Sequence, residues 1–354
     1  MLLLEHGGRL RQAASQYGIP LSDWLDLSTG INPNGWPVPA IPAACWQRLP
    51  EDDDELLAAA RAYYQNDSLL AVAGSQAAIQ SLPLLRPKSR VGLLHPAYAE
   101  HAGSWQKAGH QVIRVEERAI DDHMDELEVL ILVNPNNPTG RLWSRSQLLS
   151  WHEKLSRRGG WLLVDEAFMD GLSEYSLTSL PLRPGLIVLR SVGKFFGLAG
   201  IRCGFVITEP GLLARLAELL GPWAISHPGR YVAALALADR DWQSANAVSL
   251  ALQGQRLQQL LTGCGWQPYG GCDLFQWVKN EQASKLHELL ARQGVLTRFF
   301  HEPTSLRFGL PKDESAWQRL AQALTHPDIR QLSLFAHTET ESGDNATKQP
   351  YRAR

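Results

Sequence analysis

SVGKFFGLAGIRCG, residues 191–204, sets one lysine, Lys194, among glycines, phenylalanines and small apolar residues, with no further charge until Arg202. Lysines ordinarily sit in solvated, charge-mixed surroundings. An apolar pocket with a cation nearby lowers the pKa of a lysine and leaves a free amine able to condense with an aldehyde. Two other lysine chemistries fit less well. The phosphate-loop pattern needs a glycine where Val188 stands and a Ser or Thr where Phe195 stands. Ser191 and Lys194 satisfy an S-x-x-K spacing, but no S-D-N or K-T-G accompanies them.

Working outward, this stretch closes a series of short apolar runs, each followed by turn residues and a helical pattern. Val91–Leu94, Val129–Val133, Trp161–Val164 and Leu186–Leu189 read as buried strands. Gln76–Leu85, Glu100–Ala108, Ser144–Arg157 and Pro210–Leu220 read as helices between and after them. Alternation of this kind predicts an α/β fold with a mainly parallel central sheet flanked by helices, over residues 41–235. Residues 236–335 predict a smaller α+β C-terminal domain. Its elements are a long helix through Tyr231–Leu261, strands at Leu274–Val278, Leu296–Phe299 and Ser305–Phe308, and helices at Ala283–Arg292 and Glu314–Leu324. Residues 1–40, rich in Gly, Pro and Asn, predict an arm covering the active site, and residues 336–354, nearly devoid of apolar side chains, a disordered tail.

The totals narrow the function. With 354 residues, 44% of them hydrophobic, the chain is long enough for a large core. A formal charge of −2 offers no basic excess for nucleic acid. Four cysteines without C-x-x-C spacing suggest a reducing, cytoplasmic setting rather than a disulfide scaffold. No apolar run is long enough for a membrane span, and no H-E-x-x-H spacing suggests a metal. The absence of G-x-G-x-x-G and G-x-S-x-G weakens dehydrogenase and α/β-hydrolase readings.

Three other segments complete a pattern around Lys194. NPNNPTG, residues 134–140, follows an apolar strand, and its Asn-Pro bonds permit cis peptides that would fix an Asn side chain at the strand's carboxyl end. Asp165 ends the apolar strand of GGWLLVDEAF, where a buried carboxylate calls for a cationic partner. Ala73-Gly-Ser-Gln-Ala77 stands between a strand and a helix, where backbone N–H groups at Gly74, Ser75 and Gln76 suit a phosphate, with Ser191 and Arg202 beside them. Pyridoxal 5'-phosphate asks for such a lysine, an acid at its pyridinium nitrogen and a phosphate site. Lys194, Asp165 and this glycine turn are the candidates, with Asn137 donating to the ring 3-oxygen and Tyr98, in HPAYAEH, stacking on the ring.

NPNNPTG, VDEAF and SVGKFFGLAGIRCG, in that order, resemble the class I/II aminotransferase group of fold type I pyridoxal-phosphate enzymes. The resemblance spans about residues 5–330 and implies the roles just given, a homodimer with sites near the subunit interface, and Arg307 of SLRFGLP as the group that holds the substrate carboxylate. The start of the chain sharpens it. His6-Gly-Gly8 and WLDLSTGINPNGWP, residues 24–37, resemble the L-threonine-O-3-phosphate decarboxylases of cobalamin biosynthesis, as does RLPEDDD at residues 48–54. That resemblance implies a phosphorylated amino-acid substrate. Arg298, His6, Gly7 and Asn32 are then the candidates for its phosphate. A histidinol-phosphate-type aminotransferase is the alternative enzyme, and a sensor domain on the same fold the non-enzymatic one. One position departs from the group: Leu49 stands where many members carry a tyrosine that reaches the neighbouring subunit's cofactor phosphate.

Overall fold

A computed structural model describes residues 6–335; the tail expected to be disordered lies outside these residues. After a two-residue strand β1 (Leu25–Asp26), seven strands make one sheet: β2 (Leu69–Val72), β3 (Arg90–Leu94), β4 (Gln111–Val115), β5 (Val129–Val133), β6 (Trp161–Asp165), β7 (Leu186–Ser191) and β8 (Gly204–Ile207). Their spatial order is β2-β8-β7-β6-β5-β3-β4. β3 to β7 run parallel, and β8 is antiparallel to both its neighbours. The sheet is therefore mainly parallel, as the strand-helix alternation predicts.

Burial on both faces explains the unbroken apolar strands. On β5, Leu130 and Leu132 enter one core while Val129 and Ile131 enter the other; β6 divides Leu162 and Val164 from Trp161 and Leu163 in the same way. Successive side chains of a strand point to opposite faces, so a strand covered twice cannot alternate apolar with polar. Each fully buried Leu, Val or Ile contributes roughly 1.5–3 kcal/mol.

The sheet order also positions the site. From β3 the chain moves outward to β4, then returns to β5 on the other side of β3. The loops leaving the carboxyl ends of β3 and β5 therefore diverge and leave a crevice at the sheet edge. Tyr98 lies after β3, Asn137 after β5, Asp165 at the end of β6 and Lys194 after β7.

The C-terminal third adds β9 (Gly270–Cys272), β10 (Phe275–Lys279), β11 (Val295–Leu296), β12 (Arg298–His301) and β13 (Thr304–Gly309). Four of these form an antiparallel sheet in the order β12-β13-β10-β9. Helices Ala283–Arg292 and Glu314–Leu324 fall where their apolar periodicity places them.

Four local expectations are corrected. The long helix is two, His227–Ala238 and Arg240–Gly263, because Asp239 leaves helical geometry and its side chain caps the second helix by accepting from the Trp242 N–H. The helix expected over Gln76–Leu85 is a helix at Ser75–Ser81 followed by a 3-10 turn at Leu82–Leu85, where Pro83 cannot extend the ladder. The strand expected at Leu296–Phe299 is divided at Thr297, with β11 pairing to β1 and β12 to β13. The segment expected as an arm carries regular structure within residues 6–40. Leu10–Tyr17 is a helix, and β1 pairs in parallel with β11, so that Ala13 and Trp24 pack on Ala291 and Leu296. A two-residue strand has no sequence period to detect; only its distant partner makes it one.

Candidate active site

Lys194 lies in the turn after β7, its carbonyl fixed by the N–H groups of Asn32 (3.0 Å) and Gly197 (3.1 Å). Its Nζ stands 5.4 Å from the centre of the Phe168 ring. Burial pushes the amine down to about 8; Arg307 and Arg202 push the same way, while Asp165 opposes them. Relative to an ordinary lysine, the free-amine fraction at neutral pH rises about 300-fold.

Asp165 is buried at the end of β6. Its Oδ1 accepts from the Ala167 N–H at 3.1 Å, and its Oδ2 from His101 Nε2 at 3.0 Å. His101 is wholly buried in helix Ala99–Lys107, and its Nδ1 has no partner among the described residues. The sequence reading missed His101. Its signal was the i, i+3 spacing from Tyr98, which puts both on one face of the helix that follows β3.

The turn expected to hold a phosphate forms where β2 passes into helix Ser75–Ser81. Gly74 adopts φ +70°, and a Cβ there would come within 2.7 Å of Arg202 Nη2, so only glycine lets the guanidinium lie over the turn. Arg202, itself at φ +54°, also donates to the Ala199 carbonyl at 3.0 Å. Ser191 Oγ accepts from the Gly193 N–H at 3.1 Å. Gln76 donates to Glu100 (2.8 Å) and accepts from the Tyr98 hydroxyl (3.3 Å). Burial, with Glu100 and Asp165, pushes the Tyr98 phenol up to about 12, so it stays a neutral donor.

Arg307 on β13 closes the site from the smaller sheet. It is buried, donating to Asn137 Oδ1 at 2.5 Å and to the Ser28 carbonyl at 3.0 Å, while its Nε has no partner among the described residues. Arg298 faces it directly across β12 and β13. Burial, then Arg298, lower Arg307 to about 10. Two guanidinium groups directly opposed on a sheet repel each other, and an anion between or beside them relieves that cost. The bonds Asn134-Pro135 and Asn137-Pro138 are both cis. Because Asn137 Oδ1 accepts from Arg307, its amide NH2 is the end left to donate to a ligand.

The remaining candidates divide. His6 Nε2 pairs with Glu100 Oε1 at 2.6 Å, its ring 6.1 Å from that of Tyr98, and Gly7 packs against Ser28. Asn32 departs from expectation. Its Nδ2 donates to the Phe195 carbonyl and to Asn246, and its Oδ1 accepts from the Asn34 N–H, so its buried amide braces the Lys194 loop instead of reaching toward a phosphate.

An amine of lowered pKa, a buried acid and a glycine turn under a guanidinium at the carboxyl edge of a mainly parallel sheet, with a buried arginine facing them from the smaller sheet, fit the aminotransferase class I and II family. That family's sequence profile matches residues 49–324, and the chain belongs to it. Among curated relatives, it is 56% identical over 322 residues to the threonine-phosphate decarboxylase of Pseudomonas aeruginosa, covering 91% of this chain and 97% of that one. It is 42% identical to the threonine-phosphate decarboxylase of a Sinorhizobium species, covering 92% and 98%. Histidinol-phosphate aminotransferase of Sinorhizobium meliloti, solved in complex with pyridoxal-5'-phosphate, shares the fold with a TM-score of 0.81 at 20% identity, over 94% of this chain and 95% of that one.

Membership makes the chain a pyridoxal-phosphate enzyme, and its residues fit that cofactor. The glycine-only turn at Gly74 under Arg202 suits the phosphate, Asp165 braced by His101 suits the pyridinium nitrogen, and Lys194 suits the aldehyde.

Proposed function

We propose that the protein decarboxylates L-threonine O-3-phosphate to (R)-1-aminopropan-2-ol O-phosphate and carbon dioxide, as a step of cobalamin biosynthesis in the cytoplasm. The observation that carries this reading is the opposed pair Arg307 and Arg298 beside Lys194. An amino acid bearing a second anion needs two cationic contacts, and this pair supplies them on one face of the small sheet. Relatives named threonine-phosphate decarboxylase, matching over nearly the whole chain, support the same substrate.

Bound pyridoxal phosphate supplies the electron sink that accepts the pair left when a bond at the substrate α-carbon breaks. The chain's own groups direct that capacity. Asp165, held by His101 and the Ala167 N–H, keeps negative charge where a protonated ring nitrogen needs it. Arg307 holds the carboxylate that departs, in a site dry enough to strengthen the contact. Arg298 and His6 serve the phosphate. Lys194, with a pKa near neutrality, is suited to return a proton to the α-carbon.

A homodimer fits the surface. Trp46, Leu49 and Trp223 are all more than half exposed, and Trp223 holds a left-handed φ of +59°. We take them as candidate contact residues of a homodimer, and sedimentation at micromolar concentration tests it. The function is tested by supplying threonine phosphate to the cofactor-loaded protein without a keto acid. Release of one carbon dioxide per amine formed is expected. Glutamate formation from added 2-oxoglutarate, without carbon dioxide, would assign transamination instead.

A further inference from the structure

We propose that Ser28 is a positioning residue that holds His6-Gly7-Gly8 over the substrate-phosphate side of the site and ties this segment to Arg307; the inference rests on the substrate reading above. Ser28 is 2% exposed and stands in the chain just beyond β1. Every polar atom it has is engaged. Its N–H and its hydroxyl both reach Asp26 Oδ1, at 2.9 and 2.6 Å. The hydroxyl must donate there, since an ionised carboxylate only accepts, and this leaves the Oγ lone pairs for the Gly8 N–H at 2.7 Å. Its carbonyl accepts from Arg307 Nη2 at 3.0 Å.

The residues around Ser28 are fixed on both sides. Asp26 is paired with Leu296, the Leu27 N–H donates to the Leu296 carbonyl, and the Leu27 carbonyl accepts from the Gly309 N–H. Leu27, the residue before Ser28, is thereby bonded to β11, two residues before Arg298, and to β13, which carries Arg307. Gly7 lies flat on it: a Cβ at residue 7 would come within 2.2 Å of the Ser28 carbonyl oxygen, and Gly8 takes φ +78°. The two glycines let the backbone pass against Ser28, and beyond them His6 reaches Glu100 on the helix of the large sheet. The segment is thus tethered at two points, Gly8 on the small sheet's side and His6 on the large sheet's side, and it crosses the crevice between them. The same Ser28 that fixes one tether also orients the guanidinium assigned to the carboxylate. Glu100 also accepts from Gln76 of the glycine turn at 2.8 Å, but among the described residues neither Ser28 nor Gly7 hydrogen-bonds Gly74, Asp165 or Lys194.

The test uses Ser28→Ala and Gly7→Ala in the full-length, cofactor-loaded protein. Ser28→Ala removes the acceptor of the Gly8 N–H, and Gly7→Ala forces the segment off Ser28. Expected for both are faster hydrogen exchange at the Gly8 amide, a visible absorption band of bound cofactor matching the wild type, and a KM for threonine phosphate raised about five- to tenfold, the equivalent of one buried hydrogen bond. For Ser28→Ala, kcat at saturation falls by less than about twofold, the mark of lost uniform binding. Unchanged KM and unchanged exchange in both variants would overturn the proposal. So would loss of the cofactor band alongside the rise in KM, because Ser28 would then be supporting the whole fold. If the wild type itself releases no carbon dioxide from threonine phosphate, it is the substrate reading that has failed, and the exchange measurement still reports on the tether.

Discussion

Two buried charge clusters lie side by side at the carboxyl ends of β6 and β7, and they are built to opposite ends. In one, Arg190 bonds Glu166 at 2.9 Å and Asp170 at 2.6 Å; Ser176 and the Leu177 N–H complete Glu166, and Tyr63 donates to Asp170. In the other, Asp165 is the residue next to Glu166, yet the buried cations of the site, Lys194 and Arg307, pair with no carboxylate among the described residues. Burial weakens Arg190 too, but Asp170 and Glu166 overrule it and hold its pKa above the usual range. Lys194 and Arg307 have no such compensation and are both pushed down. A cluster whose charges pair with one another is scaffold. One whose cations are pushed toward their neutral forms, with no carboxylate partner among the described residues, is suited to anionic or carbonyl partners from outside.

Substitutions break this contrast in graded ways. Lys194→Ala should have the largest effect, lowering carbon dioxide release on the order of 10⁴-fold or more and abolishing the yellow colour of the loaded protein, while thermal unfolding barely moves. Arg190→Met should do the reverse. It leaves Glu166 and Asp170 buried without a counter-charge, and a loss of about 3–5 kcal/mol, measured by urea unfolding, is expected. Arg307→Met sharpens the comparison, since this arginine is also buried but among the described residues bonds an amide oxygen and a carbonyl instead of a carboxylate. Stability should change by no more than about 1 kcal/mol, while KM for threonine phosphate rises on the order of 100-fold.

The mildest test is a titration. Cofactor uptake by the cofactor-free protein needs the neutral amine of Lys194, so its rate should climb with pH through about 8 and then level, where an ordinary lysine would keep climbing past 10. In Arg307→Met the midpoint should move upward, because removing a neighbouring positive charge favours the protonated amine. Stopped-flow absorbance across pH 6–10 would read both.

Much of this site is legible because its residues sit at strand ends, where apolar runs stop abruptly. Lys194, Asp165 and Asn137 each follow such a run, and Gly74 marks the turn into a helix. His101 offers only its spacing from Tyr98 as a signal, without the punctuation of a strand end, and the packing of its helix is what brings it to Asp165. Asn32 misled for the opposite reason, being a polar residue in a glycine- and proline-rich segment that nonetheless folds inward. Ser28 had no local signal at all.

What the sequence determined by itself is the mainly parallel sheet and the cofactor, since these depend on short-range patterns: unbroken apolar strands, a glycine at a turn, an acid or amine just past a strand. What the tertiary structure decided is which residues separated by hundreds of positions share a hydrogen bond. The pairing of β1 with β11, the reach of Arg307 to Ser28 and Asn137, and the mutual charge pairing of the Arg190 cluster are long-range consequences of burial. An isolated stretch of sequence cannot show which polar atoms find partners once water is excluded.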